Sequence, residues 1–76
     1  MESLNTVGGN ARADKIAKAL GYSSAEQLKG EYVAYGAVSK YDMKYDVRTK
    51  EIVLENHQTG ETEHTNLYIP DEIYSI

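Results

Sequence analysis

The sequence predicts a single α+β domain in which two N-terminal helices pack on an antiparallel sheet of three or four strands. Apolar residues recur at helical spacing as far as Tyr32 and then alternate with polar residues from Ser39 onward. Helices followed by a run of strands are typical of α+β proteins. The chain has 76 residues and no cysteine, so one small core without disulfides must hold it together.

The first helix is predicted to follow an irregular segment. Residues Met1–Gly9 show no periodicity and end in two glycines, which indicates a flexible lead-in to a domain spanning residues 10–76. Asn10 is the predicted N-cap, and Gly21 is predicted to end the helix in a left-handed conformation. The predicted buried face of this helix follows i, i+3, i+4, i+7 spacing: Ala13, Ile16, Ala17 and Leu20.

A second helix is predicted to begin at a capping box. Ser23 and Glu26 stand in the Ser-x-x-Glu arrangement that satisfies free backbone N–H groups at a helix start. Gly30 weakens the helix by about 1 kcal/mol relative to alanine, so we expect a short element. Its predicted buried stripe is Ala25, Leu28 and Tyr32.

The second half of the chain predicts three strands joined by two turns. The strands are expected at Ser39–Val47, Glu51–Glu55 and Glu61–Ile69. The turns are expected at Asp46–Thr49 and Asn56–Gly60, and Gly60 is free to adopt positive φ. After Pro70, which ends the third strand, Ile73, Tyr74 and Ile76 are expected to add an edge strand or to pack as a tail.

Alternation along these strands predicts which residues are buried. In the third strand Thr65, Leu67 and Ile69 are expected on the core face, and His64, Asn66 and Tyr68 on the other face. The predicted core of the domain is Ile16, Leu20, Leu28, Met43, Ile52, Leu54 and Leu67.

The charges are divided along the chain. All eight Lys and Arg residues lie between Arg12 and Lys50; residues 10–50 carry five acids and a balance of +3. Residues 51–76 carry six acids and no Lys or Arg, a balance of −6. A basic half suits an anionic partner and an acidic half a cationic one. The apolar runs are too short to cross a membrane, and Met1–Leu4 does not resemble a secretory signal.

Several short segments together resemble a known group of proteins. They are the helix–Gly21-Tyr22–helix segment, Ser39-Lys40-Tyr41-Asp42, Asp46-x-x-Thr49-Lys50-Glu51 and Thr65-Asn66-Leu67. Over residues 13–69 the chain resembles the C-terminal toxin modules of Rhs-type and contact-dependent-inhibition polymorphic toxins. It departs from their pattern at Lys50, where glycine is usual.

The resemblance implies a function in interbacterial competition. Many small toxins of this layout resemble barnase–EndoU–RelE-like ribonucleases, which implies metal-independent cleavage of RNA by attack of the 2′-hydroxyl on the adjacent phosphate. It further implies neutralisation by a cognate immunity protein, and secretion as part of a larger protein with delivery to the target-cell cytoplasm. No cofactor and no membrane partner are expected.

RNA cleavage of this kind needs a proton acceptor, a proton donor and a group that stabilises the charged phosphorane. His64 is the predicted acid–base residue, since its unperturbed pKa suits proton transfer and it lies on the polar face of a strand. Lys40 or Lys44 is the predicted phosphate stabiliser, with Thr65 or Tyr68 as a supporting donor. Arg12, Lys15 and Lys18 on the first helix are the predicted RNA-binding residues.

Each of these residues also has an ordinary structural explanation. His57 in a turn, and lysines that alternate with Asp42 and Asp46 on a strand, are typical of solvated surface. Those two aspartates are expected about 13 Å apart, too far to share one metal ion. The alternative function is therefore a non-catalytic module, an inhibitor or adaptor, whose acidic sheet docks on a basic partner.

Overall fold

The structure, a computed structural model, describes residues 4–74. Its elements in chain order are β1 (Leu4–Thr6), α1 (Asn10–Ala19), α2 (Ala25–Gly30), a 3₁₀ helix (Tyr35–Lys40), β2 (Tyr41–Asp46), β3 (Glu51–Asn56), β4 (Thr62–Tyr68) and α3 (Asp71–Tyr74). The four strands form one antiparallel sheet in the order β1-β2-β3-β4. The predicted α+β layout, with the two main helices ahead of the main strands, is confirmed.

The fourth strand comes from the opposite end of the chain to the one predicted. Leu4–Thr6, assigned from sequence to an irregular lead-in, pair with β2 in the register Leu4 to Asp46. Val7 follows as a buried residue, and its N–H donates to the carbonyl of Met43 at 3.2 Å. The lead-in prediction is wrong for these residues, because a three-residue strand is too short to show alternation.

The C-terminal segment is helical rather than an edge strand. Residues Asp71–Tyr74 form one short helical turn after Pro70. Ile73 from this turn is buried in the common core. Ile76, the other apolar residue of the predicted tail, lies outside the described residues.

The caps of α1 differ at its two ends. Gly9, with φ 102°, is the N-cap, and Asn10 lies inside the helix, so the predicted Asn10 cap is wrong. At the C-terminus Gly21 has φ 98°, as predicted. The N–H of Tyr22 donates to the Ala17 carbonyl at 2.9 Å, the long bond of a Schellman motif.

The cap of α2 lies one residue later than predicted. Ser24, not Ser23, is the N-cap, and its hydroxyl accepts from the N–H of Gln27. The Gln27 side chain in turn accepts from the N–H of Ser23. Asp14 of α1 accepts from the N–H of Ala25 at 2.8 Å, which ties the start of α2 to the neighbouring helix.

One apolar core lies between the helices and one face of the sheet. Of the predicted core, Ile16, Leu28, Met43, Ile52 and Leu54 are buried, and Leu20 and Leu67 are half-buried against the cluster. The helical face of the sheet is here called the core face and the opposite one the outer face. The buried side chains of the core cluster are Val7, Ala13, Ile16, Ala17, Ala25, Leu28, Met43, Ile52, Leu54, Ile69 and Ile73.

Candidate functional site

The outer face carries a row of three residues that lie directly opposite one another on neighbouring strands. Lys44 of β2 pairs with Val53 of β3, and Val53 pairs with His64 of β4. Directly paired residues of an antiparallel sheet project to the same face. Since Ile52 and Leu54 enter the core, Val53 and its two partners belong to the outer face. The sequence placed Lys44 and His64 on polar strand faces, and the structure brings them onto one surface.

His64 makes a hydrogen-bonding contact with a glutamate. Its Nδ1 lies 3.0 Å from Oε1 of Glu51. The His64 side chain is 61% exposed, whereas that of Glu51 is only 13% exposed. An ionised carboxylate can only accept a hydrogen bond, so this contact favours a proton on Nδ1 and makes Nε2 the nitrogen that can take up a proton. Orientation of a histidine by a carboxylate is the arrangement that general-base histidines use.

A bulge in β4 anchors this glutamate. The pairs Glu51–Tyr68 and Val53–His64 leave three residues of β4, Thr65 to Leu67, opposite Ile52 alone. Within the bulge Asn66 has φ 60°, a left-handed conformation that asparagine tolerates better than most residues. Its N–H donates to Oε2 of Glu51 at 3.1 Å. Both oxygens of the Glu51 carboxylate are therefore engaged, one by a side chain and one by the backbone.

Lys44 has a carboxylate partner of its own. Its Nζ lies 2.6 Å from Oε1 of Glu55, and both side chains are about one-quarter exposed. Two strand spacings of about 4.8 Å separate the backbones of Lys44 and His64. That span of about 10 Å suits one nucleotide between the two side chains better than direct contact. Lys44 must exchange Glu55 for a phosphate if it is to stabilise one.

Three other predicted site residues differ in their surroundings. Thr65 is buried on the core face, on the opposite side of the sheet from the His64 side chain, and its hydroxyl donates to the Ile52 carbonyl at 2.7 Å within the bulge. Tyr68 lies opposite Glu51 on the outer face and is 52% exposed. Lys40 ends the 3₁₀ helix, not a strand shared with Lys44, and its carbonyl accepts from the N–H of His57.

The predicted RNA-binding residues lie on the other side of the molecule from His64. Arg12, Lys15 and Lys18 belong to α1, whose buried residues pack on the core face. Arg12 and Lys15, with Ala11 and Ile73, line a shallow cleft of about 250 Å³. The sheet and the core lie between this basic helix and the outer face, so its residues and His64 lie on different surfaces. Sequence spacing alone does not reveal which layer a helix occupies.

A second histidine–carboxylate contact lies at the far end of the outer face. The Nδ1 of His57, in the turn after β3, is 3.6 Å from Oδ1 of Asp42. Both side chains are about half-exposed, and their separation exceeds hydrogen-bond length. This looser pair offers a natural comparison for His64 and Glu51.

The two glutamates were the residues that sequence reasoning missed. Glu51 and Glu55 lie two residues before and two residues after Val53, so alternation along the strand would by itself have placed them on the outer face. Their pairing with His64 and Lys44 depended on the register of three strands. Among residues 4–74 no group of three His, Asp or Glu side chains converges to hold a metal ion.

Searches of family models, curated proteins and solved structures gave no match to this chain. None of the helices formed by the described residues is long and apolar enough to cross a membrane.

Proposed function

We propose that the chain is a C-terminal toxin effector domain of interbacterial competition that cleaves RNA without a metal ion. The observation that supports this most is the exposed His64 ring held by the shielded Glu51 carboxylate. In this proposal Nε2 of His64 takes the proton of a ribose 2′-hydroxyl as the oxygen attacks the adjacent phosphorus. The bond from phosphorus to the 5′-oxygen then breaks, the leaving 5′-oxygen takes a proton from solvent water, and His64 releases the proton it accepted back to solvent.

The neighbouring side chains supply the remaining roles in this proposal. Lys44 lies about one nucleotide away from His64 and stabilises the phosphorane charge once it leaves Glu55. Tyr68, exposed on the same face, offers a ring for base stacking and a hydroxyl for hydrogen bonding. The acids of the outer face disfavour a long RNA footprint, so we expect a small substrate contact centred on His64.

We further propose that the domain is carried on a larger secreted protein, acts in the cytoplasm of a target cell and is neutralised by a cognate immunity protein. Both halves of the chain are strongly charged, so the complex should form more slowly at high salt than at low salt. An association rate that does not change with salt would contradict the electrostatic part of this proposal.

The test is expression of the domain in the bacterial cytoplasm, followed by analysis of total RNA. Wild-type protein should arrest growth and yield RNA fragments with cyclic-phosphate ends. His64→Ala should remove both effects, because loss of a general base lowers rates by about 10²–10⁴-fold. The matched control is His57→Ala, which removes the looser histidine of the same face. Equal loss in both variants, or full activity in the His64 variant, would exclude the proposed role of His64.

A second candidate function is favoured by the exposed carboxylates of the C-terminal half. Four acids in this half are exposed, and no Lys or Arg follows Lys50: Glu61 ahead of β4, Glu63 within β4, and Asp71 and Glu72 in α3. This candidate is a non-catalytic module, an inhibitor or adaptor, that docks its acidic side on a basic protein. A wild-type domain that folds but neither arrests growth nor cleaves RNA would favour it over the ribonuclease.

A further inference from the structure

The strand β4 forms one edge of the sheet. Within residues 4–74 it pairs with β3 on one side and is the last strand in the order. At seven residues it is longer than β1, the three-residue strand at the opposite edge. A strand at an edge presents backbone N–H and C=O groups to which another chain can pair. The regular part of β4 ahead of the bulge, Thr62–His64, is the stretch available for strand addition.

The hairpin register shows which backbone groups of β4 point away from the sheet. The N–H of Asn56 donates to the carbonyl of Glu61 at 2.8 Å. Hydrogen-bonded pairs alternate along an antiparallel ladder, so Glu63, opposite Leu54, also directs its backbone groups toward β3. Thr62, between them, directs its N–H and C=O outward.

The side chains flanking Thr62 give this edge a charge. Glu61 and Glu63 are both exposed, and the 26 residues from Glu51 onward include six acids and no Lys or Arg. Lysine is a common edge-protecting residue in natural sheets, whereas the charged side chains that flank Thr62 are both carboxylates. A strand added about 4.8 Å away would place its side chains within reach of both glutamates.

We propose that the β4 edge accepts an extended, Lys- and Arg-rich segment of a partner protein as a fifth strand. The outward N–H and C=O of Thr62 pair with the backbone of that segment, and Glu61 and Glu63 pair with its basic side chains. A second copy of the chain is disfavoured, because two β4 edges would bring like charges together. Nucleic acid is disfavoured by the same carboxylates.

The added strand would lie next to His64. The inference concerns binding and does not require His64 to be catalytic, so it can fail or succeed independently of the ribonuclease proposal. If both hold, a partner bound at this edge obstructs access to the outer face near His64.

The test is a titration of ¹⁵N-labelled protein with synthetic peptides, followed by NMR. The probe is an acetylated, amidated peptide of alternating arginine and valine, and the matched control replaces each arginine with glutamate. The arginine peptide should shift the amide signals of residues 61–65, and the glutamate peptide should not. Shifts centred on α1 or α2, equal shifts with both peptides, or no shifts at millimolar peptide would overturn the proposal.

Two variants separate strand addition from general charge attraction. Thr62→Pro removes an N–H that β3 does not use, and proline is tolerated at such edge positions. It should weaken binding of the arginine peptide about tenfold, as expected for the loss of one backbone hydrogen bond, whereas Thr62→Ala should leave binding nearly unchanged. Unchanged binding by a folded Thr62→Pro protein would overturn the proposal.

The double variant Glu61→Lys/Glu63→Lys keeps the backbone and reverses the charge of the edge. It should favour the glutamate peptide over the arginine peptide. A preference that stays with the arginine peptide would also overturn the proposal, whether or not Thr62→Pro folds.

Discussion

Lys50 and Gly60 occupy the same position in two turns that are built to one pattern. The segments Asp46–Glu51 and Asn56–Glu61 share a first Asx residue, a threonine in fourth place and a final glutamate. The residue in fifth place has positive φ in both, 68° at Lys50 and 82° at Gly60. Its N–H donates to the carbonyl of the first residue at 2.7 Å in each turn. The two hairpins therefore use the same local structure, once with glycine and once with lysine in the left-handed position.

We expect Lys50→Gly to stabilise the fold and Gly60→Ala to destabilise it. A left-handed conformation costs a non-glycine residue about 1–2 kcal/mol. Lys50→Gly removes that cost but loses the exposed contact of Lys50 with Asp71 at 3.3 Å, worth about 0–1 kcal/mol. The net gain should be about 1 kcal/mol by urea unfolding. Gly60→Ala should lose about 1 kcal/mol through backbone strain, since no atom lies within 4 Å of its added Cβ. A destabilised Lys50→Gly protein would show that the lysine contacts outweigh the strain.

The first residue of each turn should tolerate an amide but not an alanine. Oδ1 of Asp46 accepts from the N–H groups of Arg48 and Thr49, at 2.8 and 3.2 Å. Oδ1 of Asn56 makes the two equivalent bonds in the second turn. Asp46→Ala should cost about 1–3 kcal/mol, because it leaves partly buried donors without an acceptor. Asp46→Asn should retain most of the stability. Equal losses, measured by thermal unfolding, would mean that the carboxylate charge and not the turn geometry is required.

The free energy of unfolding lost when a core residue is truncated to alanine should increase with the burial of that residue. Ile52 is fully buried, so Ile52→Ala should cost about 2–5 kcal/mol. Leu20 is half-buried at the end of α1, and Leu20→Ala should cost about 1–2 kcal/mol. A small domain has little stability to lose, so only the first change should unfold most of the protein at 37 °C. Circular dichroism of the two variants measures this difference, and a larger loss at Leu20 would contradict it.

Glu51 should matter for activity mainly through His64. Glu51→Gln keeps the size of the side chain but can no longer serve as a charged acceptor for Nδ1. If the domain is a ribonuclease, this change should lower RNA cleavage at least about tenfold and alter its pH dependence. The control is Glu55→Gln, which releases Lys44 without touching His64. A cleavage rate and pH profile unchanged in Glu51→Gln would show that the carboxylate does not position the histidine for catalysis.

Stability should decline at alkaline pH through Tyr32. Burial, followed by a hydrogen bond and a charge interaction with Tyr22 and by the charge of Glu31, raises the pKa of Tyr32 above its usual 10.0. The folded state thus prefers the neutral phenol. The stability that the neutral Tyr32 phenol contributes to the folded state is fully present below pH 10 and is lost as the pH rises through the raised pKa. Tyr32→Phe should flatten that part of the stability profile. Tyr35→Phe, at a ring 94% exposed, is the control and should leave the profile as it is.

The fold class, the three main strands and both turns were predictable from local sequence pattern. These features depend on local chemistry: alternation marks a strand face, and Asx, threonine and glycine mark a turn. The positive φ of Gly60 and the C-terminus of α1 at Gly21 were predicted for that reason. The sequence also predicted correctly that Thr65 lies on the core face and His64 on the opposite face. The bulge adds two residues to β4, which preserves the alternation of side chains between the two faces.

Which of these residues come into contact depends on how distant segments of the chain pack together. Leu4–Thr6 become a strand only because β2 offers an edge beside Val7, and Ile73 is buried only because the core accepts it. The contact between His64 and Glu51 joins residues 13 positions apart and depends on strand register and on the Asn66 bulge. Turn chemistry restricts the register close to each hairpin turn, but local pattern does not locate the bulge, beyond which the pairing shifts. For the same reason the sequence grouped the basic residues of α1 with His64, and the structure separates them by the core.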